Sequence, residues 1–182
     1  MYLWPVLPKK LIKRLDDRKA NNALRKLGTQ ECVVDFSSND YLGFASSKTI
    51  FDSAHKLMIH KKTYNNGATG SRLLTGNHKL YIEVEALLSK FHNAEAALVF
   101  NSGYDANIGF FAAVPQRGDV IFYDELIHAS IRDGIQMSNA KSYKFKHNSL
   151  HDLQKRYQQV ISNTENPTQS PHIYVITESV FS

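Results

Sequence analysis

The sequence predicts an α/β protein built on a mostly parallel sheet. Helix and strand patterns alternate along the chain, as they do where helical crossovers join parallel strands. The polar residues with chemical potential follow the ends of the predicted strands, which is where open α/β sheets hold ligands. With 182 residues, 42% of them apolar and 21% charged, the chain can bury a sizeable core as one globular α/β unit.

Taken in order, the first segment is 1–47, a basic helix over 8–27 followed by a short extra strand, Val33-Val-Asp-Phe36. Eight of the 22 Lys and Arg residues fall in the first 26 positions, and the net charge is +5. Nucleic-acid binding would need a recognisable module or interleaved aromatics, and after Trp4 this segment has neither, so a solvated helix face accounts for the charge. The remainder, 48–182, carries the alternation of helix and strand. Its predicted helices cover 48–61, 78–92, 104–114, 128–138 and 149–161, and its strands cover 95–100, 119–123, 141–145 and 172–177. Lys62 to Asn77 has three glycines and no periodicity and is therefore a long loop, either functional or a plain surface connection. The tract from Ser162 to Pro171 reads as an exposed connection. The chain shows no internal repeat and no second-domain boundary.

Several function classes drop out. No apolar stretch approaches the roughly 20 residues needed to span a bilayer. Met1-Tyr-Leu-Trp-Pro-Val-Leu7 is too short and uncharged for a secretory leader, and Asp16 and Asp17 argue against a transit peptide, so a cytoplasmic location is expected. Cys32 is the single cysteine and reads as a buried structural thiol. His147 and His151 stand four apart but lack a third partner, so no metal site is expected. No Gly-x-Gly-x-x-Gly follows a strand, which argues against a dinucleotide site.

The segment Ala96 to Val114 carries the most chemistry. An apolar run to Phe100 reads as a buried strand, Asn101-Ser-Gly103 as the turn, and a helix starts near Tyr104. The first N–H groups of that helix lack intrahelical partners and sit at its positive end, and Gly103 lets an anion approach the backbone. Spacing alone fits an ordinary strand-turn-helix equally well. Likewise His128, taken by itself, is a helix cap or a satisfied structural histidine.

Five blocks decide between these readings: Phe36-Ser-Ser-Asn-Asp-Tyr-Leu-Gly43, Gly70-Ser-Arg-Leu-Leu-Thr-Gly-Asn77, Asn101-Ser-Gly-Tyr-Asp-Ala-Asn107, Asp124-Glu-Leu-Ile-His-Ala-Ser130 and Thr177-Glu-Ser-Val-Phe-Ser182. In these blocks, which span nearly the whole chain, the sequence resembles the α-oxoamine synthases, a branch of the aspartate-aminotransferase-like (fold type I) pyridoxal-phosphate enzymes. The resemblance implies pyridoxal 5'-phosphate as cofactor and makes 48–182 part of the large cofactor-binding domain. Within the family the chain looks most like the members that condense L-alanine, with loss of carbon dioxide, with pimeloyl-CoA or a pimeloyl carrier protein to give 8-amino-7-oxononanoate for biotin.

The resemblance also implies roles for particular residues. Gly103 and Tyr104 would hold the cofactor phosphate through backbone N–H groups. His128 would stack on the cofactor ring and hydrogen-bond the substrate carboxylate, and Ser182 would contact the phenolic oxygen. Arg25, in an Ala-Leu-Arg context, would lie near the acyl substrate, where a guanidinium fork suits a free carboxylate. Asn39 would help hold the amino-acid carboxylate, although an Asn-Asp turn explains it equally well. Glu178 matches a family glutamate whose role stays open. A homodimer is implied, with the loop before Asn77 near its interface, and neither nucleic acid nor membrane is an expected partner.

In the family the lysine that carries the cofactor, the aspartate that pairs with the ring nitrogen and a nearby histidine all lie downstream of the segment matching Thr177 to Ser182. This polypeptide alone is therefore expected not to turn over, and as an isolated protein to expose apolar surface. Two alternatives stay open: a sister synthase using glycine or serine with another acyl-CoA, and a noncatalytic fragment or pseudoenzyme.

Overall fold

A computed structural model describes residues 7–25, 27, 34–162 and 171–181. The chain divides into two units, 1–65 and 66–182. The first unit holds α1 (Lys9–Ala20) and α2 (Lys48–His60). Helix α1 stops well short of the predicted 27, because Asn22 takes a left-handed φ of 52° and the N–H groups of Asn22 and Ala23 turn back to the Lys19 and Arg18 carbonyls. That is a Schellman stop, which asparagine tolerates better than most residues. Helix α2 ends the same way at Lys62, with φ of 53°.

The short strand predicted at Val33 to Phe36 does not form over its described residues, and Val33 lies outside them. Asp35 instead accepts the backbone N–H groups of Ser37 and Ser38 at 2.9 and 3.0 Å. Asp40 accepts those of Phe44 and Ala45 at 2.8 and 3.2 Å, closing a turn over Gly43, whose φ is +67°. Short acidic side chains offer the backbone an alternative to a ladder, and here the alternative wins. Hydrogen bonds from Ser38 and Ser37 hold the Asp35 carboxyl down at about 2.

The second unit runs α3 (Lys79–Phe91), α4 (Gly103–Ala113), β1 (Val120–Asp124), α5 (Ala129–Met137), β2 (Lys141–Phe145), α6 (Leu150–Ile161) and β3 (Ile173–Ile176). The sheet is parallel, in the order β2-β1-β3, with Phe122 opposite Tyr143 on one side and Val175 on the other. Strand β1 is central and sends alternate residues to opposite faces. On one face Ile121 packs with Phe111 of α4, Ile131 and Ile135 of α5, and Ile127. On the other, Val120 and Phe122 pack with Phe145, Leu153 and Val160, the last two from α6. Burial on both faces explains why β1 reads as a continuous apolar run.

The predicted strand over 95–100 is absent. The Val99 N–H donates to the Glu85 carboxylate at 2.9 Å, and its carbonyl accepts from the Arg72 guanidinium at 3.3 Å. Side chains thus satisfy both backbone groups of Val99, the bonds a neighbouring strand would otherwise make at that position. The loop before α3 is pinned by the same Arg72, which forks onto Glu85 at 2.6 and 3.0 Å, donates to Asn77 at 3.0 Å and lies 4.2 Å over the Tyr81 ring. Gly76 is obligatory there, since a Cβ at that position would sit 1.8 Å from the Gly70 carbonyl oxygen.

Candidate functional site

Three loops meet beyond the carboxyl ends of the strands. Asp124 ends β1 with its side chain fully buried, and it accepts from the Leu126 N–H at 2.9 Å, the Asn148 N–H at 2.9 Å and His147 Nδ1 at 3.0 Å. Burial works to raise its pKa, but those donors outweigh it and hold the carboxyl below the ordinary value. The His147 ring stands edge-on to Phe181 at 4.6 Å, so the segment after β3 joins the same cluster. His147 is thereby committed to holding loops together, and His151 is exposed on α6.

The helix expected after Asn101 starts at Gly103. Ser102 caps it, its hydroxyl accepting the Asp105 N–H and donating to the Asp105 carboxylate, both at 3.0 Å. The backbone N–H groups of Gly103 and Tyr104 have no hydrogen-bond partner among the described residues. A Cβ built on Gly103 meets no atom within 4 Å, so the space against the helix end is open. Two donors without a partner among the described residues, at the positive end of a helix with open space beside Gly103, fit a phosphate ester such as the one pyridoxal phosphate carries.

His128 caps the neighbouring helix, α5, and is exposed. Its backbone N–H donates to Glu178 at 2.7 Å, which gives that glutamate a place at the site. Its Nδ1 lies 3.2 Å from the Ser130 N–H donor and 2.7 Å from the Ser130 hydroxyl. Asn107 of α4 donates to that hydroxyl at 2.9 Å, and the Tyr104 hydroxyl bonds to Asp133 of α5. That second bond raises the Tyr104 pKa. The two helices approach closely at Gly134, where a Cβ would come within 3.0 Å of the Asn107 carbonyl oxygen and of Phe111 Cβ.

Tyr104 and His128 thus belong to two links between α4 and α5, one through Asp133 and one through Ser130 and Asn107, and Gly103 is the first residue of α4. Arg25 and Asn39 lie in the first unit, both exposed, and Ser182 is outside the described residues. Sequence reasoning missed Ser130, Asn107, Asp133 and Asp124 as individuals, although all but Asp133 stand in the quoted blocks. The available signal was helical spacing, which sets Asn107 one turn beyond Gly103 and Ser130 just inside the helix that His128 caps.

The chain belongs to the class I and II aminotransferase family, whose model matches residues 31–182. The sheet flanked by helices is that of the fold type I enzymes in this family. Among curated relatives, the chain is 37% identical over 176 residues to a putative 8-amino-7-oxononanoate synthase of Methanococcus vannielii, covering 95% of this chain and 44% of the relative. It is 38% identical over 174 residues to the 8-amino-7-oxononanoate synthase of Emericella nidulans, covering 94% and 42%. Among solved structures, serine palmitoyltransferase from S. paucimobilis with a bound PLP–myriocin aldimine superposes at a TM-score of 0.74 and 26% identity, over 96% of this chain and 46% of that one. The 8-amino-7-oxononanoate synthase of Francisella tularensis gives 0.57 and 31%, over 69% and 34%. The chain therefore spans less than half the length of these relatives, and the expected resemblance to the N-terminal portion of α-oxoamine synthases is borne out.

Proposed function

We propose that the natural protein is a pyridoxal-phosphate-dependent α-oxoamine synthase that condenses L-alanine with pimeloyl-CoA, or pimeloyl carrier protein, releasing carbon dioxide and forming 8-amino-7-oxononanoate for biotin synthesis. The observation that carries the reading is the bonded bridge from His128 through Ser130 to Asn107, which joins an exposed imidazole to a helix whose first N–H groups have no partner among the described residues. Bound pyridoxal phosphate would supply an electron sink for the carbanion formed at the amino acid's α-carbon.

In this reading the Gly103 and Tyr104 N–H groups hold the phosphate, and Ser102 keeps that helix end in shape. His128 lies against the cofactor ring and donates a hydrogen bond to the carboxylate of alanine, and Asn39 assists at that carboxylate. Ser182 contacts the cofactor's phenolic oxygen. Arg25 pairs its guanidinium with the free carboxylate of the pimeloyl chain, and a homodimer in the cytoplasm is the working form. Residues 1–47 act as an N-terminal segment and 48–182 as part of the large domain.

Incubation of the natural gene product with pyridoxal phosphate and borohydride, followed by intact-mass analysis, should show a phosphopyridoxyl group on a lysine beyond Ser182. Carbon dioxide release from alanine plus pimeloyl thioester should follow. A product near 20.7 kDa without a specific adduct would favour a noncatalytic fragment. A sister activity is favoured by one observation, the 0.74 superposition on serine palmitoyltransferase. Turnover with serine or glycine and a different acyl-CoA, in preference to alanine, would establish that reading instead.

A further inference from the structure

The Nδ1 atom of His128 meets two groups of the same residue. The Ser130 backbone N–H reaches it at 3.2 Å, and the Ser130 hydroxyl oxygen lies 2.7 Å away. A backbone N–H can only donate, so Nδ1 presents its lone pair while the ring stays within reach of this N–H, and the shorter hydroxyl contact is what holds the ring there. Asn107 settles the hydroxyl, because its Nδ2 donates to Ser130 Oγ at 2.9 Å and leaves the hydroxyl proton free to turn toward Nδ1. Neither partner is loose. Ser130 is 1% exposed, and Asn107 stands where Gly134 allows α5 against α4.

The geometry points to Ser130 and Asn107 as positioning residues that hold His128 in the neutral tautomer with its proton on Nε2. The nitrogen not engaged by α5 is then a hydrogen-bond donor. A substrate carboxylate would meet an N–H there, whereas the other tautomer would offer it a lone pair and no bond. The functional half of this inference rests on the proposed role of His128, but the tautomer is a property of the protein before any ligand binds.

The test is long-range proton–nitrogen NMR on the natural gene product labelled with ¹⁵N-histidine, with the His128 signals assigned by their loss in His128→Phe. A single form with pyridine-like Nδ1 and pyrrole-like Nε2 is expected, and a pyrrole-like Nδ1 in the neutral ring overturns the inference. Ser130→Ala should melt near wild type, lose the single-tautomer signature and bind L-alanine about fivefold more weakly in a spectral titration of the cofactor-loaded protein. Ser130→Thr should restore both. If Ser130→Ala does not fold, Asn107→Ala, which frees the hydroxyl, gives the same readouts. A folded variant with unchanged tautomer and unchanged alanine affinity sinks the positioning role. Unchanged alanine affinity in His128→Phe would instead remove the proposed role of His128, while the wild-type tautomer would still stand.

Discussion

Glu85 gives Val99 the hydrogen bond that a neighbouring strand would otherwise supply, and this one carboxylate ties three pieces of chain together. The Arg72 fork and the Val99 N–H bring its pKa from an ordinary 4.5 down to about 2. A carboxyl depressed on folding contributes stability that is complete above its ordinary value and is lost as pH falls through the folded one. The pinned loop should therefore loosen progressively between about pH 4.5 and about pH 2. The protection factor of the Val99 amide, its exchange corrected for the intrinsic pH dependence, should fall across that window in the wild type as pH is lowered. In Glu85→Gln it should be lower than wild type at pH 7 and change little through the window, and a pH-independent protection factor in the wild type would refute this account.

At the scale of elements, the pairing of α4 with α5 matters most, because it carries the candidate site. Gly134→Ala would place a methyl 3.0 Å from the Asn107 carbonyl oxygen and Phe111 Cβ and 3.2 Å from Ile108 Cα, where the nearest groups are backbone or packed core. The expected cost is about 1–3 kcal/mol in urea unfolding, together with weaker binding of pyridoxal phosphate as the helix ends part. Most elements were legible in the sequence because their cause is local. Ser47, His78, Ser102, His128 and Ser149 each cap a helix with a side-chain acceptor, and the expected and observed starts agree within a residue. The early end of α1 was missed because Asn21-Asn22 was read as helix rather than as a left-handed stop. The strand expected over 95–100 does not form, for a different reason: strand propensity needs a partner to become a ladder, and Arg72 and Glu85 take the backbone groups of Val99. Of the site, the helix start at Gly103 and the helix cap at His128 were legible. Ser130 and Asn107 were not, because a bond between side chains 23 positions apart exists only once α4 meets α5.

At the scale of the molecule, the two cores around β1 bury few side chains among the described residues, and much of their apolar surface faces outward. Leu73 is 95% exposed, Leu98 64% and Val175 on edge strand β3 52%, and Leu87 and Phe91 of α3 join them. Exposed apolar patches beside an open strand edge invite association. The 182-residue polypeptide prepared by itself should sediment as a mixture of oligomers and aggregates, and a monodisperse species with one sharp melting transition would contradict that. The Asp124 knot has a consequence of another kind. Its carboxylate grips two loops by main-chain N–H groups at Leu126 and Asn148, atoms common to every residue except proline. At Leu126 the grip therefore tolerates any residue but proline, whereas Asn148, held at a left-handed φ of 51°, narrows the choice at the second loop to asparagine, aspartate or glycine.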